Sequence, residues 1–177
     1  TEIYTLSLHD ALPISCSPAR LDFAGGWSDT PPYCLEKGGT VLNAAVTLNG
    51  QYPIQVIAKI NFDYTIRINS IDLGMTRVVN DMETLAQFTN PGDWLSLPKA
   101  ALWATGLFRL GEKKSLDRLL HQFGGGIDLT LFSALPAGSG LGTSSILGAT
   151  AIAAVSKMFG ISMTREEIGR ASCRERV

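Results

Sequence analysis

The chain has 177 residues, 45% of them hydrophobic and 18% charged, with a formal net charge of -1, which is enough apolar material for one ordinary globular domain. The near-neutral charge gives no electrostatic basis for binding nucleic acid or a membrane surface, and the longest apolar run, residues 146–155, is too short to span a bilayer. Three cysteines without metal-ligand spacing and only two histidines argue against a zinc site or a histidine triad and favour a reducing, cytoplasmic setting.

The two ends of the chain are predicted to be non-native. Codons that can encode LHDALPI, residues 8–14, have a reverse complement that reads IGRASCR, residues 168–174, when shifted by one base. Such complementarity is a property of DNA and resembles translation of a sequencing adapter, which is set aside before fold reasoning. We therefore expect residues 1–15 and 168–177 to be foreign, residues 16–167 to be an incomplete natural domain, and the natural gene to continue past both ends.

Five strands are predicted in the first half of the chain, because alternating apolar residues are bounded there by turn residues. They span residues 19–23, 40–48, 53–60, 64–69 and 76–79. Residues 27–39 are predicted to form a loop, since two prolines and flanking glycines interrupt them. Asn49-Gly50 is a strong hairpin signal, so the strands on either side of it are expected to pair with each other.

The second half of the chain is predicted to be mainly helical. Helices are expected at residues 82–87, 99–110 and 115–122, and the glycines at 124–126 end the last of them. Residues 127–134 are strand-like, and Thr164 with Glu166 and Glu167 behind it indicates the cap of a final helix. The pattern predicts the α+β class, a mixed sheet packed against helices.

The segment LPAGSGLGTSSILGATAIAAV, residues 135–155, places three glycines and three hydroxyl residues directly before an apolar helix. The first amides of a helix lack partners and carry partial positive charge, so an anion is their natural ligand. Gly138, Gly140 and Gly142 would let a phosphate approach. The hydroxyls of residues 143–145 could then bind phosphate oxygens or Mg²⁺. The alternative is a glycine-rich turn with a capping serine; we favour phosphate binding.

Three common phosphate loops do not fit this spacing. No Gly-Lys-Ser/Thr follows, since the next lysine is Lys157, so the segment is not a Walker A loop. Thr143 stands where a dinucleotide fingerprint has its last glycine, and no surrounding strand–helix–strand context supports that fold. The glycine loop of a protein kinase lies over the ATP phosphates in a hairpin rather than ahead of a helix.

Two motifs resemble those of the GHMP small-molecule kinases. Residues 136–145, PAGSGLGTSS, resemble the family's P-x-x-x-G-L-G/S-S-S motif. Residues 20–29, RLDFAGGWSD, resemble its first motif, in which an arginine precedes Gly-Glu-His-x-Asp; here Gly26 and Trp27 replace Glu-His. Within the family, GGWSDTPP together with LPAGSGLGTSSIL is similar to the L-fucokinases, including the kinase portion of bifunctional fucokinase/GDP-fucose pyrophosphorylases.

The resemblance implies a fold and an activity. The fold would be the N-terminal domain of a GHMP kinase, which is ribosomal-protein-S5-domain-2-like, with ATP and Mg²⁺ as cofactors and a small sugar as the other partner. The activity would be transfer of the ATP γ-phosphate to the anomeric hydroxyl of L-fucose, giving L-fucose 1-phosphate and ADP. The alternatives are a heptose-phosphate kinase, expected to carry a GGGTD-like front motif, and a non-catalytic relative that binds sugar or nucleotide.

The resemblance also assigns roles to residues. The ATP phosphates would be held by Pro136, Gly138, Ser139, Gly140, Leu141, Gly142, Thr143, Ser144 and Ser145, with Ser144 also ligating Mg²⁺. Arg20 would offset charge on the transferred phosphoryl group, unless it forms a structural pair with Asp22, which we expect to be structural itself.

Trp27, Ser28 and Asp29 would contact the sugar. A fixed carboxylate at Asp29 accepts hydrogen bonds from hydroxyls well, and Trp27 would either stack on the sugar or anchor the core or loop. In the family, the catalytic aspartate and a Mg²⁺-binding glutamate lie downstream of the phosphate loop. The natural part of the chain is expected to end about one helix after that loop, so it would lack both residues. We therefore expect the chain alone to be inactive, since general-base catalysis typically accelerates a reaction by about 10²–10⁴-fold.

Overall fold

The computed structural model describes residues 12–90, 92–109, 111, 113–136 and 138–174. Its strands are β1 (Ile14–Ser17), β2 (Ala19–Ala24), β3 (Leu42–Val46), β4 (Ile54–Asn61), β5 (Ile66–Ser70), β6 (Met75–Val79) and β7 (Gly126–Ser133). Its helices are α1 (Tyr33–Lys37), α2 (Met82–Ala86), α3 (Ser96–Ala104), α4 (Leu116–Phe123), α5 (Thr143–Met158) and α6 (Arg165–Arg174). The predicted α+β class is confirmed. No helix in this described part combines the length and apolar character needed to cross a membrane.

A five-stranded mixed sheet organises the domain, with the strand order β1-β4-β7-β5-β6. The central strands β5 and β7 run parallel, and the other neighbours are antiparallel. Alternate residues of β4, from Ile54 to Ile60, are buried, and the same alternation continues in β5 and β7. Because successive strand residues point to opposite faces, one face of this sheet forms the main core.

Helix α5 lies across the buried face of the sheet, and its small residues allow close packing. A Cβ atom built on Gly148 would lie 3.1 Å from Cδ1 of Leu97, near the start of α3. Ala151, Ile152 and Val155 are fully buried in the main core. The body of α5 is thus fixed between sheet and helix, which holds its first residue, Thr143, in a defined place.

The predicted pairing of the strand at residues 40–48 with the strand at residues 53–60 is wrong. The Asn49-Gly50 turn is present, and Leu48 and Gln51 exchange two hydrogen bonds of 2.9 Å. However, β3 pairs with β2, whereas β4 pairs with β1 and β7. Pro53 has no N–H to extend the hairpin, and the apolar alternate residues of β4 are buried in the larger sheet instead.

Helix boundaries were predicted with mixed success. Both ends of α4 agree: the Ser115 hydroxyl accepts from the Arg118 N–H at 3.4 Å, and Gly124 closes the helix in a left-handed conformation. The cap of α6 is reciprocal, with Glu167 Oε2 accepting from the Thr164 N–H at 2.7 Å and Thr164 Oγ1 accepting from the Glu167 N–H at 3.2 Å. Helix α3 is displaced from the predicted 99–110 to Ser96–Ala104.

Two elements, α1 and β1, were not predicted from the sequence. Helix α1 lies within the predicted loop 27–39, and β1 lies partly within the segment predicted to be foreign. Residues 1–11 and 175–177 of those predicted foreign ends lie outside the described residues. The rest of the two ends forms the start of β1 and most of α6. The boundaries at residues 15 and 168 stay predictions.

Candidate anion- and sugar-binding site

The two motifs, far apart in the sequence, line one cavity of about 530 Å³. It lies between β2, the segment after it and the start of α5. Its walls are formed by Arg20, Asp22, Trp27, Asp29, Thr30, Gly138, Ser139, Gly140, Gly142, Thr143 and Ser144. The structure therefore brings most of the predicted site residues together. Pro136, Ser28, Leu141 and Ser145 are not among the cavity-lining residues.

The positive end of α5 lies at this cavity. Gly142 precedes the helix with φ 72° and ψ 18°, and no side chain caps the helix. The first amides of α5 thus retain the character of an anion site. This is the arrangement that the phosphate-loop interpretation requires: a helix start with open space in front of it, and not a continuous strand.

The glycines of the loop are required by the backbone conformation as well as by the space that a phosphate needs. Gly138, Gly140 and Gly142 have φ values of 74°, 74° and 72°, which side-chain-bearing residues rarely adopt. A Cβ atom on Gly138 or Gly140 would meet nothing within 4 Å, so no neighbouring atom excludes a side chain there. These two glycines set the path of the backbone, and the space beside them stays open to a ligand.

The three hydroxyl residues at the start of α5 have different surroundings. Ser144 lines the cavity and is exposed. Thr143 also lines the cavity, but its Oγ1 atom is buried and has no hydrogen-bond partner. The hydroxyl of Ser145 donates to the carbonyl of Gly142 at 3.0 Å. Ser144 is therefore accessible to a ligand, Thr143 keeps an unpaired hydroxyl beneath the cavity surface, and the Ser145 hydroxyl stabilises the first turn of the helix.

Arg20 connects the two walls of the cavity. Its backbone N–H donates to the carbonyl of Leu141 at 3.3 Å, which ties β2 to the glycine loop. Its Nε atom lies 3.7 Å from where a Cβ atom on Gly142 would be, so the side chain passes beside the start of α5. Its Nη2 atom donates to Oδ2 of Asp22 at 3.0 Å. The guanidinium thus lies at the cavity in a defined ion pair, with half of the side chain exposed.

The segment after β2 is held against residues 39–40 by backbone contacts that only glycine allows. A Cβ atom on Gly25 would lie 1.9 Å from the carbonyl oxygen of Thr40, and one on Gly39 would lie 1.9 Å from that of Ser28. The Ser28 hydroxyl donates to the Thr40 carbonyl at 3.0 Å. Ser28 therefore anchors this segment in the structure, which is a different use of its hydroxyl from the predicted sugar contact.

Trp27 is presented to solvent at the cavity. It has a left-handed backbone, with φ 71°, and 83% of the residue is exposed. An anchor in the core would be buried, so that alternative does not apply. Asp29 and Thr30 line the same side of the cavity and are exposed as well. The result is an open surface with one aromatic ring, one carboxylate and one hydroxyl.

Asp22 and Thr30 line the cavity although neither was predicted to bind a ligand. A signal for Asp22 was present in the sequence. Residues two apart on a strand share a face, so Asp22 lies on the same side of β2 as Arg20. No group of three or more histidine, cysteine, aspartate or glutamate side chains capable of holding a metal ion occurs within the described residues.

The comparisons with known proteins agree with this geometry. Residues 112–175 match the family described as the GHMP kinases N terminal domain. The chain is 46% identical over 155 residues to the L-fucokinase/L-fucose-1-P guanylyltransferase of Bacteroides fragilis, and the match covers 86% of this chain and 16% of that protein. It is 35% identical over 153 residues to the bifunctional fucokinase/GDP-fucose pyrophosphorylase of Arabidopsis thaliana, covering 86% of this chain and 14% of that protein.

Among solved structures, the Lactococcus lactis galactokinase complexed with galactose is similar to this chain, with a TM-score of 0.67 and 18% sequence identity. The match covers 94% of this chain and 38% of the galactokinase chain. Fold and cavity together define an α+β domain in which a helix start and an arginine lie at the same cavity. Residues 112–175 belong to the GHMP kinases N terminal domain family, and 86% of the chain aligns with each of the two fucokinase relatives. The chain spans less than a fifth of the curated relatives named above.

Proposed function

We propose that this chain is the ATP- and sugar-binding portion of a sugar 1-kinase that converts L-fucose and ATP into L-fucose 1-phosphate and ADP. The observation that carries the proposal is that the start of α5 and the Arg20–Asp29 segment line the same cavity. The similarity to the fucokinase relatives from Bacteroides fragilis and Arabidopsis thaliana supports L-fucose as the sugar.

The residues present fit a nucleotide phosphate. The helix start supplies donors and partial positive charge, the glycine backbone leaves space, and Thr143 offers a buried hydroxyl that has no partner in the protein. An unpaired buried polar atom costs roughly 1–3 kcal/mol. A phosphate oxygen would satisfy it. The other predicted loop residues, Pro136 and Leu141, would shape the loop and not contact the phosphates.

Arg20 and Ser144 would serve the transferred phosphoryl group. A guanidinium fixed beside the start of a helix stabilises negative charge that develops during transfer. Ser144, exposed at the cavity, would hold Mg²⁺. When bound, the ion would offset phosphate charge. The general base and a further ligand for the ion would come from sequence downstream of residue 167, so the chain alone would not transfer phosphate.

The segment after β2 would hold the sugar. Trp27 is free to stack on an apolar sugar face, and Asp29 can accept hydrogen bonds from two hydroxyls. Both side chains are exposed, so sugar binding does not require the protein to give up existing contacts. The backbone contacts of Gly25 and Gly39 would hold the segment in place.

The proposal is tested by sugar binding to this chain and by turnover of the protein encoded by the complete gene. In the presence of MgATP, we expect L-fucose to shift the amide NMR signals of residues 27–30 more strongly than D-mannose does. The complete protein should form a 1-phosphate from L-fucose with the highest kcat/KM in a panel that includes a heptose phosphate. A preference for the heptose phosphate would refute the choice of sugar. Transfer by the 177-residue chain alone would refute the assignment of the base to downstream sequence.

A further inference from the structure

We propose that Asp22 is a positioning residue for Arg20: it fixes the guanidinium beside the start of α5 and partly neutralises it. This inference rests on the proposed function and adds a residue to the phosphate end of the site. The position of Asp22 inside a strand predicts a structural role for it. The contacts of its two carboxylate oxygens indicate otherwise.

The geometry places the pair where it can act on a phosphate. Arg20 and Asp22 project from the same face of β2, and both line the cavity. Only one bond joins them, from Nη2 of Arg20 to Oδ2 of Asp22 at 3.0 Å. A guanidinium has five N–H donors, so this bond fixes the plane of the group and leaves several donors for a ligand. Gly142 allows the arginine stem to lie against the helix start.

A carboxylate that serves only the fold has different surroundings, as Asp128 in β7 shows. Asp128 accepts from Asn61 Nδ2 at 2.7 Å and from Arg67 Nη1 at 3.2 and 3.3 Å, which occupies both of its oxygens. Asp22 uses Oδ2 alone, and its Oδ1 atom is buried without any hydrogen-bond partner. Buried polar atoms in proteins are normally bonded, so an exception calls for an explanation such as a catalytic role or a bound ion. The second such atom at this cavity is the Thr143 hydroxyl.

The charges around Arg20 explain why a carboxylate is useful there. The guanidinium lies against the positive end of α5, so two like charges are close together when no anion is bound. Asp22 offsets this and competes with phosphate for the guanidinium. Removing the carboxylate charge should therefore have two opposite effects: a simple anion binds more tightly, and the guanidinium loses its fixed orientation. A general loss of structure would weaken anion binding instead.

The experiment compares Asp22→Asn with the unchanged chain, using pyrophosphate as the probe at low salt. We expect pyrophosphate to bind about two- to fivefold more tightly to Asp22→Asn. This factor is the size expected when a partly exposed carboxylate no longer competes with the anion for an arginine. The side-chain N–H signals of Arg20 in NMR, assigned by their absence in Arg20→Lys, should be resolved in the unchanged chain and averaged by rotation in the variant. Asp63→Asn is the matched control, since Asp63 also pairs with an arginine, Arg67, at 3.1 Å but lies outside the cavity.

The outcomes separate this inference from the proposed function. Absence of pyrophosphate binding by the folded, unchanged chain would overturn both. Suppose that the unchanged chain binds pyrophosphate. The role of Asp22 alone would then be overturned if Asp22→Asn bound pyrophosphate with equal or lower affinity, or if its Arg20 signals were the same as those of the unchanged chain. An equal tightening in Asp63→Asn would show a general charge effect and would overturn it too. If Asp22→Asn does not fold, Asp22→Ala is evaluated by the same criteria, because it also removes the unpaired oxygen.

Discussion

The five-stranded sheet and the segment from β2 to β3 contain similar apolar residues and use them in opposite ways. In the sheet, Val56, Ile68 and Leu129 are completely buried beneath helices. In the β2–β3 segment, Phe23 is 62% exposed and Leu35 is 79% exposed. The apolar residues of the sheet stabilise the fold, whereas Phe23 and Leu35 do not contribute to the core. The two ends of the segment are packed: Ala19 is buried against Ile54, and Val46 packs on the same small cluster. Apolar composition alone therefore does not distinguish the two regions.

The polar residues of the two regions differ in a corresponding way. In the sheet and its helices, buried or partly buried charges have several partners: Lys99 donates both to Asp93 and to the Gln87 carbonyl. Three buried side-chain oxygens have no partner among the described residues: Asp22 Oδ1 and Thr143 Oγ1 lie at the cavity, and Thr65 Oγ1 lies just before β5. The sheet region should therefore determine stability and the β2–β3 segment should determine ligand binding. The predictions below test this division.

The largest expected effect on stability is in the sheet. Ile68→Ala removes a fully buried side chain of β5 and should lower the free energy of unfolding by about 3–4 kcal/mol, through lost burial and a cavity. Ile71→Ala, three residues further along the chain, is the control. Its side chain is exposed, so the change should stay within about 0.5 kcal/mol. Urea unfolding monitored by circular dichroism measures both, and equal losses would contradict the burial argument.

A slightly smaller effect is expected at the buried ion pair. Although partial burial raises the pKa of Asp93, the Leu95 N–H and the Lys99 ammonium lower it by more, so the carboxylate is charged at neutral pH. The Lys99 side chain is 3% exposed and lies 3.0 Å from Asp93. Asp93→Ala leaves that charge buried and should destabilise the chain by about 3 kcal/mol in thermal or urea unfolding. Asp63→Ala, at an exposed pair, should cost less than about 1 kcal/mol.

The cap of α2 should give a still smaller, pH-dependent effect. The Thr84 N–H, bonded to the carboxylate, holds the pKa of Asp81 below its ordinary 3.8. Because the folded pKa is the lower one, this stabilisation is present above about pH 4 and is lost as the pH falls through the folded value. Asp81→Ala should therefore cost about 1 kcal/mol at pH 7. The difference from the unchanged chain should shrink in urea titrations below pH 4, and a constant difference would contradict the assigned cause.

The smallest effect on stability is expected at Trp27. Because its indole is exposed and its backbone is left-handed, Trp27→Ala should change the free energy of unfolding by less than about 0.5 kcal/mol. The same change should weaken L-fucose binding in the presence of MgATP about tenfold, since stacking on a sugar is lost. Calorimetric titration checks the second part. Tyr52→Ala is the control, because Tyr52 is also exposed but lies outside the cavity.

Local features of the fold were predictable from the sequence, whereas strand pairing was not. Alternation identified β2, β4, β5, β6 and β7, and capping residues fixed the starts of α4 and α6. The Asn49-Gly50 signal was misleading because a turn specifies only the two residues that flank it. The partners of β4 depend on burial across the whole sheet, which no short segment encodes.

The candidate site was predictable as two motifs but not as a set of contacts. Gly138 to Ser144 and Arg20 to Asp29 meet at one cavity, as the resemblance implied. The Ser28 hydroxyl donates to the Thr40 carbonyl, and the Ser145 hydroxyl donates to the Gly142 carbonyl. Both hydrogen bonds depend on backbone positions that motifs do not specify. The same applies to Asp22, whose unpaired oxygen is visible only when its neighbours are placed.

The proposed function requires that the start of α5 bind the phosphates of ATP. Calorimetric titration of MgATP into the chain should show binding, and Gly140→Ala should weaken it at least tenfold by straining a backbone with φ 74°. Gly160→Ala carries comparable strain, at φ 64°, at the opposite end of α5 and should leave the affinity within about twofold. A folded chain that does not bind MgATP, or an equal loss in both variants, would contradict the account.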